Sequence, residues 1–183
     1  MRNLTTKNLL LRPFRHGDLA YMQRYATRED YYRFLPLDAL TPASVEGFLK
    51  YLMTENDDVD SLNCHFAIEP ISVGHIIGTI NLRITDAANK TATLGYALDS
   101  DFRGNGYMSE AIEVVLDFGF NELSMHRIWA SADTRNKESW RVMERAGLER
   151  EGLMRNDKLV RGEWVNSYLY AILRPIWNDK ESA

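Results

Sequence analysis

The amino-acid sequence predicts one mixed α/β domain over residues 1–183, a mostly antiparallel sheet flanked by helices. Three observations predict it. A length of 183 residues suits a single domain at about 150 residues each, with room for a real core. A hydrophobic share of 45% and a charged share of 26% match the ordinary globular balance and disfavour disorder or low complexity. Apolar residues recur at helical spacing in some segments and at period two in others, with no internal repeat and no flexible linker between them.

The chain opens with a strand over residues 8–14 that proline ends, and Asp18 is placed to cap a first helix running towards Ala26. Thr41 followed by Pro42 reads as an N-cap with proline at the first helical position, and Val45, Phe48, Leu49 and Leu52 then form an apolar stripe. This helix is expected to end in the carboxylate-rich run of residues 55–60, a solvated connection. Period two then takes over, with strands over residues 63–69, 75–83 and Thr91–Leu98. The short turn signals between them, Pro70/Gly74 and Asp86/Asn89, favour an antiparallel meander. A helix over residues 109–123, a strand at Arg127–Asp133, a helix over residues 136–146 closed by Gly147, and a strand over residues 148–154 follow. A last hairpin turns near Arg161-Gly162 and returns through residues 164–173.

Composition narrows the function classes. Lys and Arg number 22 against 26 for Asp and Glu, a net charge of -4, so nucleic-acid binding through bulk charge is not expected. The single cysteine, Cys64, rules out an intrachain disulfide and a Cys-rich zinc site, and fits a reducing cytoplasm. Cys64 and His65 are strand neighbours that point to opposite faces, which argues against a nucleophilic dyad and leaves Cys64 a packing role. His16, His65, His75 and His126 show no metal-ligand spacing, so no metal is expected. The residues after Met1 lack a signal-peptide core and no later segment approaches about 18 consecutive apolar residues, so no membrane partner is expected. Trp140 and Trp164 are expected in the core or in a cleft wall.

The stretch from Leu98 to Glu110, Leu-Asp-Ser-Asp-Phe-Arg-Gly-Asn-Gly-Tyr-Met-Ser-Glu, carries the chemistry. A strand runs into a loop with glycines at 104 and 106, and the loop opens directly into a helix. Missing Cβ atoms admit a ligand close to the backbone, and free N–H groups of a helix's first turn suit a phosphate or pyrophosphate. A tight turn that binds nothing would use the same glycines. The spelling is neither that of a P-loop nor that of a dinucleotide fingerprint, and a meander is the wrong setting for a Rossmann crossover.

This junction resembles the signature of the GNAT superfamily of acyl-CoA-dependent N-acetyltransferases, Gln/Arg-x-x-Gly-x-Gly/Ala. The likeness continues through Leu94-Gly95-Tyr96-Ala97-Leu98-Asp99, Gly106-Tyr107-Met108-Ser109-Glu110-Ala111 and Leu123-Ser124-Met125-His126-Arg127-Ile128. Asn136-Lys137-Glu138-Ser139 and Glu144-Arg145-Ala146-Gly147-Leu148 are similar to a second coenzyme-contacting block. With the opening Leu9-Leu10-Leu11-Arg12-Pro13, nearly the whole chain is similar to the RimJ/RimL-type branch. The resemblance implies a sheet splayed after Thr91–Leu98 that admits acetyl-CoA as cosubstrate. It implies coenzyme contacts from Tyr96, Ala97, Leu98, Arg103, Gly104, Asn105, Gly106, Tyr107, Met108, Ser109, Asn136 and Ser139.

Two departures bear on mechanism. Asp101 stands where the superfamily usually has Gln or Arg, with Arg103 as a replacement charge, and Met143 stands where many relatives carry a thiolate-protonating tyrosine. Ser139 is then the best hydroxyl for the leaving thiolate, on the same helix face as Asn136. No carboxylate precedes Gly95-Tyr96, so Asp157 and Asp99 are the candidate bases. The implied activity is transfer of an acetyl group by direct attack to a primary amine, on a protein N-terminus, a polyamine or another small molecule, by a monomer or homodimer. Rival readings are a coenzyme A-binding module without turnover and a nucleotide-binding regulator.

Overall fold

The computed structural model describes residues 3–57 and 62–181. Eight strands form one sheet in the order β1-β2-β3-β4-β5-β6-β8-β7. They are β1 (Leu4–Thr5), β2 (Leu9–Arg12), β3 (Asn63–Pro70), β4 (Gly78–Asp86), β5 (Thr91–Leu98), β6 (Arg127–Asp133), β7 (Glu149–Val160) and β8 (Glu163–Leu173). The helices are α1 (Leu19–Ala26), α2 (Pro42–Asp57), α3 (Tyr107–Asp117), α4 (Lys137–Arg145) and α5 (Arg174–Glu181). Every pairing is antiparallel except β5 with β6, which is parallel. Among the described residues no helix is long and apolar enough to cross a membrane.

Period-two strands covered on both faces divide the core in two. On one face Phe66, Ile68, Ile80, Leu82, Ala130 and Ala132 pack with α3, α4 and α5. On the other, Ala67 and Ile76 pack with Met22 and Tyr25 of α1 and Val45, Leu49 and Leu52 of α2. The parity of β5 and β6 follows. Ala92, Leu94, Tyr96 and Leu98 face α3 and α4, whereas Ala97 faces α1 and α2. β5 stays bonded to β4 as far as Leu98 but to β6 only at Thr91, Ala92 and Thr93, so the two parallel strands part in mid-sheet.

Some expectations need correction. Asp18 precedes α1 but does not cap it: its carboxylate is claimed by Arg12, at 2.8 and 2.7 Å, and by the Arg15 N–H at 2.9 Å. Phe48 is 37% exposed, outside the stripe that Val45, Leu49 and Leu52 bury. Trp164 is 63% exposed on the last hairpin, in neither core nor cleft, whereas Trp140 packs edge-on against Tyr168. The strand starting at His75 begins later, at Gly78. The helix beginning at Tyr107 closes in a π-helical turn over Phe118–Glu122. The Glu149–Val160 strand is longer than expected because irregularities between Arg150 and Gly152 and between Met154 and Lys158 break its period. Thr41 does cap α2, its hydroxyl accepting from the Ser44 N–H at 3.1 Å. Of the acidic run, residues 58–60 lie outside the described residues.

Candidate active site

Where β5 and β6 part, α3 and α4 border a cleft of about 670 Å³. The loop after β5 reaches α3 through Gly104 and Gly106, both at φ +80°, a left-handed conformation that glycine adopts without a steric penalty. A Cβ on either would meet no atom within 4 Å, so the backbone faces open space. Gly106 is the N-cap of α3 and offers no side chain, which leaves the first-turn N–H groups without an intrahelical acceptor. The helix dipole adds partial positive charge at that spot.

Across the cleft, Asn136 caps α4 by accepting the Ser139 N–H at 3.2 Å. Tyr96, on β5, reaches over to this turn: its phenol oxygen lies 3.0 Å from Ser139 Oγ and donates within 3.1 Å to the Ser139 carbonyl. Burial pushes the Tyr96 phenol well above its ordinary value, the Ser139 bond only partly opposing it. The wall therefore holds neutral donors at its floor and cations, Arg103, Arg141 and Arg145, around it. Glu138 lies 3.7 Å from Arg103.

A wall that no sequence motif announced comes from the segment after α1: Asp30, Tyr31, Phe34 and Leu35 line the same cleft. Arg28 fastens it to the loop after β5, bonding Ser100 Oγ at 2.7 Å and Asp101 at 3.1 Å, while Ser100 donates to Asp30 at 2.7 Å. Asp30 is held below the ordinary carboxylate value by the Ser100 hydroxyl and Arg28. Arg161, at the tip of the β7–β8 hairpin, donates to the carbonyls of Tyr32 at 2.9 Å and Arg33 at 3.1 Å and braces this wall from outside. Its only sequence trace is the aromatic run Tyr31-Tyr32-Arg33-Phe34 before Pro36, which has no periodicity to read.

Of the residues singled out from sequence, Tyr96, Ala97, Leu98, Arg103, Gly104, Gly106, Tyr107, Met108, Ser109, Asn136 and Ser139 line the cleft together. Asn105 does not; its amide turns back to the carbonyls of Phe102 at 3.1 Å and Arg103 at 3.3 Å. Asp157 sits in the irregular part of β7, away from the cleft lining and 3.7 Å from Lys158, whose ammonium bonds Ser131 at 2.9 Å. Asp99 is buried at the end of β5, accepting the Asp101 N–H at 3.2 Å. Met143 is buried in the core. Arg141 and Arg145 were missed, although their spacing of four on α4 is a readable signal.

Comparison with known proteins gives a consistent picture. The acetyltransferase (GNAT) domain model matches residues 8–149. The chain is 28% identical over 176 residues to the uncharacterized N-acetyltransferase YnaD of Bacillus subtilis strain 168, covering 96% of this chain and 99% of that one. It is 30% identical over 103 residues to the ribosomal protein uS5-alanine N-acetyltransferase of Escherichia coli strain K12, covering 56% and 53%. A crystal structure of a GNAT-family acetyltransferase from Bacillus anthracis superposes with a TM-score of 0.83 at 28% identity, covering 95% of this chain and 99% of that one.

Proposed function

The chain belongs to the GNAT family of acetyltransferases and is an acetyl-CoA-dependent N-acetyltransferase; from that premise we propose that its acceptor is the N-terminal amine of a protein. One observation carries the acceptor class. The cleft wall outside the coenzyme-type segments is Tyr31, Phe34 and Leu35; the carboxylate on this side, Asp30, is bonded to Ser100 and Arg28, and the other carboxylate lining the cleft, Glu138, lies on α4, 77% exposed and 3.7 Å from Arg103. On this wall a polycationic amine meets only a carboxylate that is already bonded, whereas an amine followed by an uncharged residue meets apolar surface. The uS5-alanine relative supports the same reading.

In this reading the pyrophosphate of acetyl-CoA rests on the first-turn amides of α3 after Gly104 and Gly106, with Arg103, Arg141 and Arg145 supplying charge. Backbone groups of β5 beyond Thr93, which have no partner on β6, are free for the pantetheine amides. The amine nitrogen attacks the thioester carbonyl carbon and the carbonyl electrons move to oxygen. Collapse breaks the C–S bond, Ser139 donates its hydroxyl proton to the departing sulfur, and the proton shed by nitrogen replaces it. Atoms balance as amide plus free thiol.

The test is turnover of acetyl-CoA with a panel of short peptides bearing free N-termini, against spermidine and an amino sugar. We expect peptide kcat/KM to exceed that for spermidine by at least tenfold. Preference for spermidine would overturn the acceptor assignment. Tight acetyl-CoA binding with no turnover on any amine would favour a coenzyme-binding module instead.

A further inference from the structure

We propose that Tyr96 is a positioning residue, whose hydroxyl at the cleft floor holds the Ser139 hydroxyl so that its hydrogen is available to the coenzyme sulfur; this rests on the assignment of Ser139 made above. A serine hydroxyl is a free rotor with three staggered positions, and an acid that points correctly only part of the time loses rate in proportion. Ser139 has little else to fix it. Its N–H is occupied by Asn136, and among the described residues the hydroxyl bonds to the Tyr96 oxygen at 3.0 Å.

Counting protons defines what Tyr96 does. The phenol has a single hydrogen and two acceptors within reach, the Ser139 carbonyl at 3.1 Å and Ser139 Oγ at 3.0 Å. With the phenol donating to the carbonyl, Ser139 donates back to the phenol oxygen and the pair is closed. As charge builds on sulfur, the serine hydrogen turns to it and the phenol hydrogen turns from the carbonyl to Oγ. Both oxygens stay bonded throughout, and no proton leaves tyrosine. Burial keeps the phenol neutral, so its hydrogen stays in place for the Ser139 hydroxyl. Tyr96 reaches this position because it shares the α3–α4 face of β5 with Leu94 and Leu98, just where β6 has parted from β5.

The experiment is a double-mutant cycle of Tyr96→Phe and Ser139→Ala, read by single-turnover rates, by KM for each substrate and by calorimetric affinity for coenzyme A. Phenylalanine keeps the ring and removes only the hydroxyl. We expect Tyr96→Phe to slow the chemical step about tenfold, the worth of one well-placed hydrogen bond, with KM and coenzyme affinity within about twofold. In the Ser139→Ala background the same substitution should change nothing further. Equal losses in both backgrounds, an unchanged rate, or a fall in coenzyme affinity as large as the fall in rate would each overturn the proposal. An ultraviolet titration of the bound coenzyme thiol separates it from the acceptor assignment and needs no turnover. Tyr96→Phe should raise that thiol's pKa, by less than Ser139→Ala does because the serine hydroxyl remains, and a titration unmoved by Tyr96→Phe would also overturn it.

Discussion

Arg12 shows how a single residue ties strand to helix. The residue is 5% exposed, its guanidinium gripped by both oxygens of Asp18 at 2.7 and 2.8 Å and bonded through Nε to Glu69 at 2.7 Å. Burial alone works against the charge, but the bonds from Asp18 and Glu69 outweigh it and hold the guanidinium above its usual value. Removing one partner of a buried pair costs far more than the pair contributes, because the other charge stays buried. Asp18→Ala should therefore destabilise the fold by about 3 kcal/mol, the low end of the range because Glu69 remains. Urea denaturation checks it, and a loss under about 1 kcal/mol would mean that water replaces the carboxylate. An acidic residue before an apolar run is the usual sign of a helix cap, which is why Asp18 looks like one in the sequence, and nothing local announces a partner six residues back and across a turn.

At the level of elements, β5 and β6 and the α4 cap were legible because each carries a strong local signal: period-two apolar residues in the strands and Asn136 ahead of the helix. β1 and α5 were not. β1 is two residues long and exists only by pairing with β2, and α5 begins with Arg174-Pro175 straight after a strand, its Trp177 buried by stacking on Phe120. The aromatic wall after α1 escaped for a similar reason, since tertiary contacts through Arg28 and Arg161 shape it rather than any period. A second clamp joins the β1–β2 turn to the first turn of α3. Glu110 accepts from the Thr6 hydroxyl, from the Asn8 N–H at 2.8 Å and from the Asn8 amide at 3.0 Å. Burial disfavours its charge, yet these bonds win and its pKa falls below the ordinary glutamate value of 4.5. A depressed folded-state pKa contributes stability that is fully present above the unfolded value and is lost as pH falls through the folded one. Stability of the native protein should thus decline below pH 4.5 more steeply than that of Glu110→Gln, whose clamp carries no titrating group. Parallel curves for the two proteins between pH 5 and pH 3 would show that Glu110 does not contribute.

At the scale of the whole molecule the sheet opens where β5 and β6 part, and the cleft at that opening joins α3, α4 and the segment after α1. A ligand seated there touches elements from the first half of the chain and from the second, so binding should stabilise the fold as a unit rather than one helix. Mass action sets the size: at a hundredfold excess over Kd the native state gains about 2.7 kcal/mol. For a chain of this length each kcal/mol raises Tm by about 2–4 °C, so saturating acetyl-CoA should raise it by about 5–10 °C. The same measurement separates a coenzyme site from a general phosphate site. ATP and GTP present phosphates to the α3 amides but have no pantetheine arm to run along the unpaired part of β5, so they should shift Tm by less than a third as much at equal concentration. Equal shifts from ATP and acetyl-CoA would mean that the glycine loop alone supplies the affinity. In that case the parting of the strands contributes nothing to recognition, although it is the one feature of the sheet that distinguishes this cleft from an ordinary strand-to-helix turn.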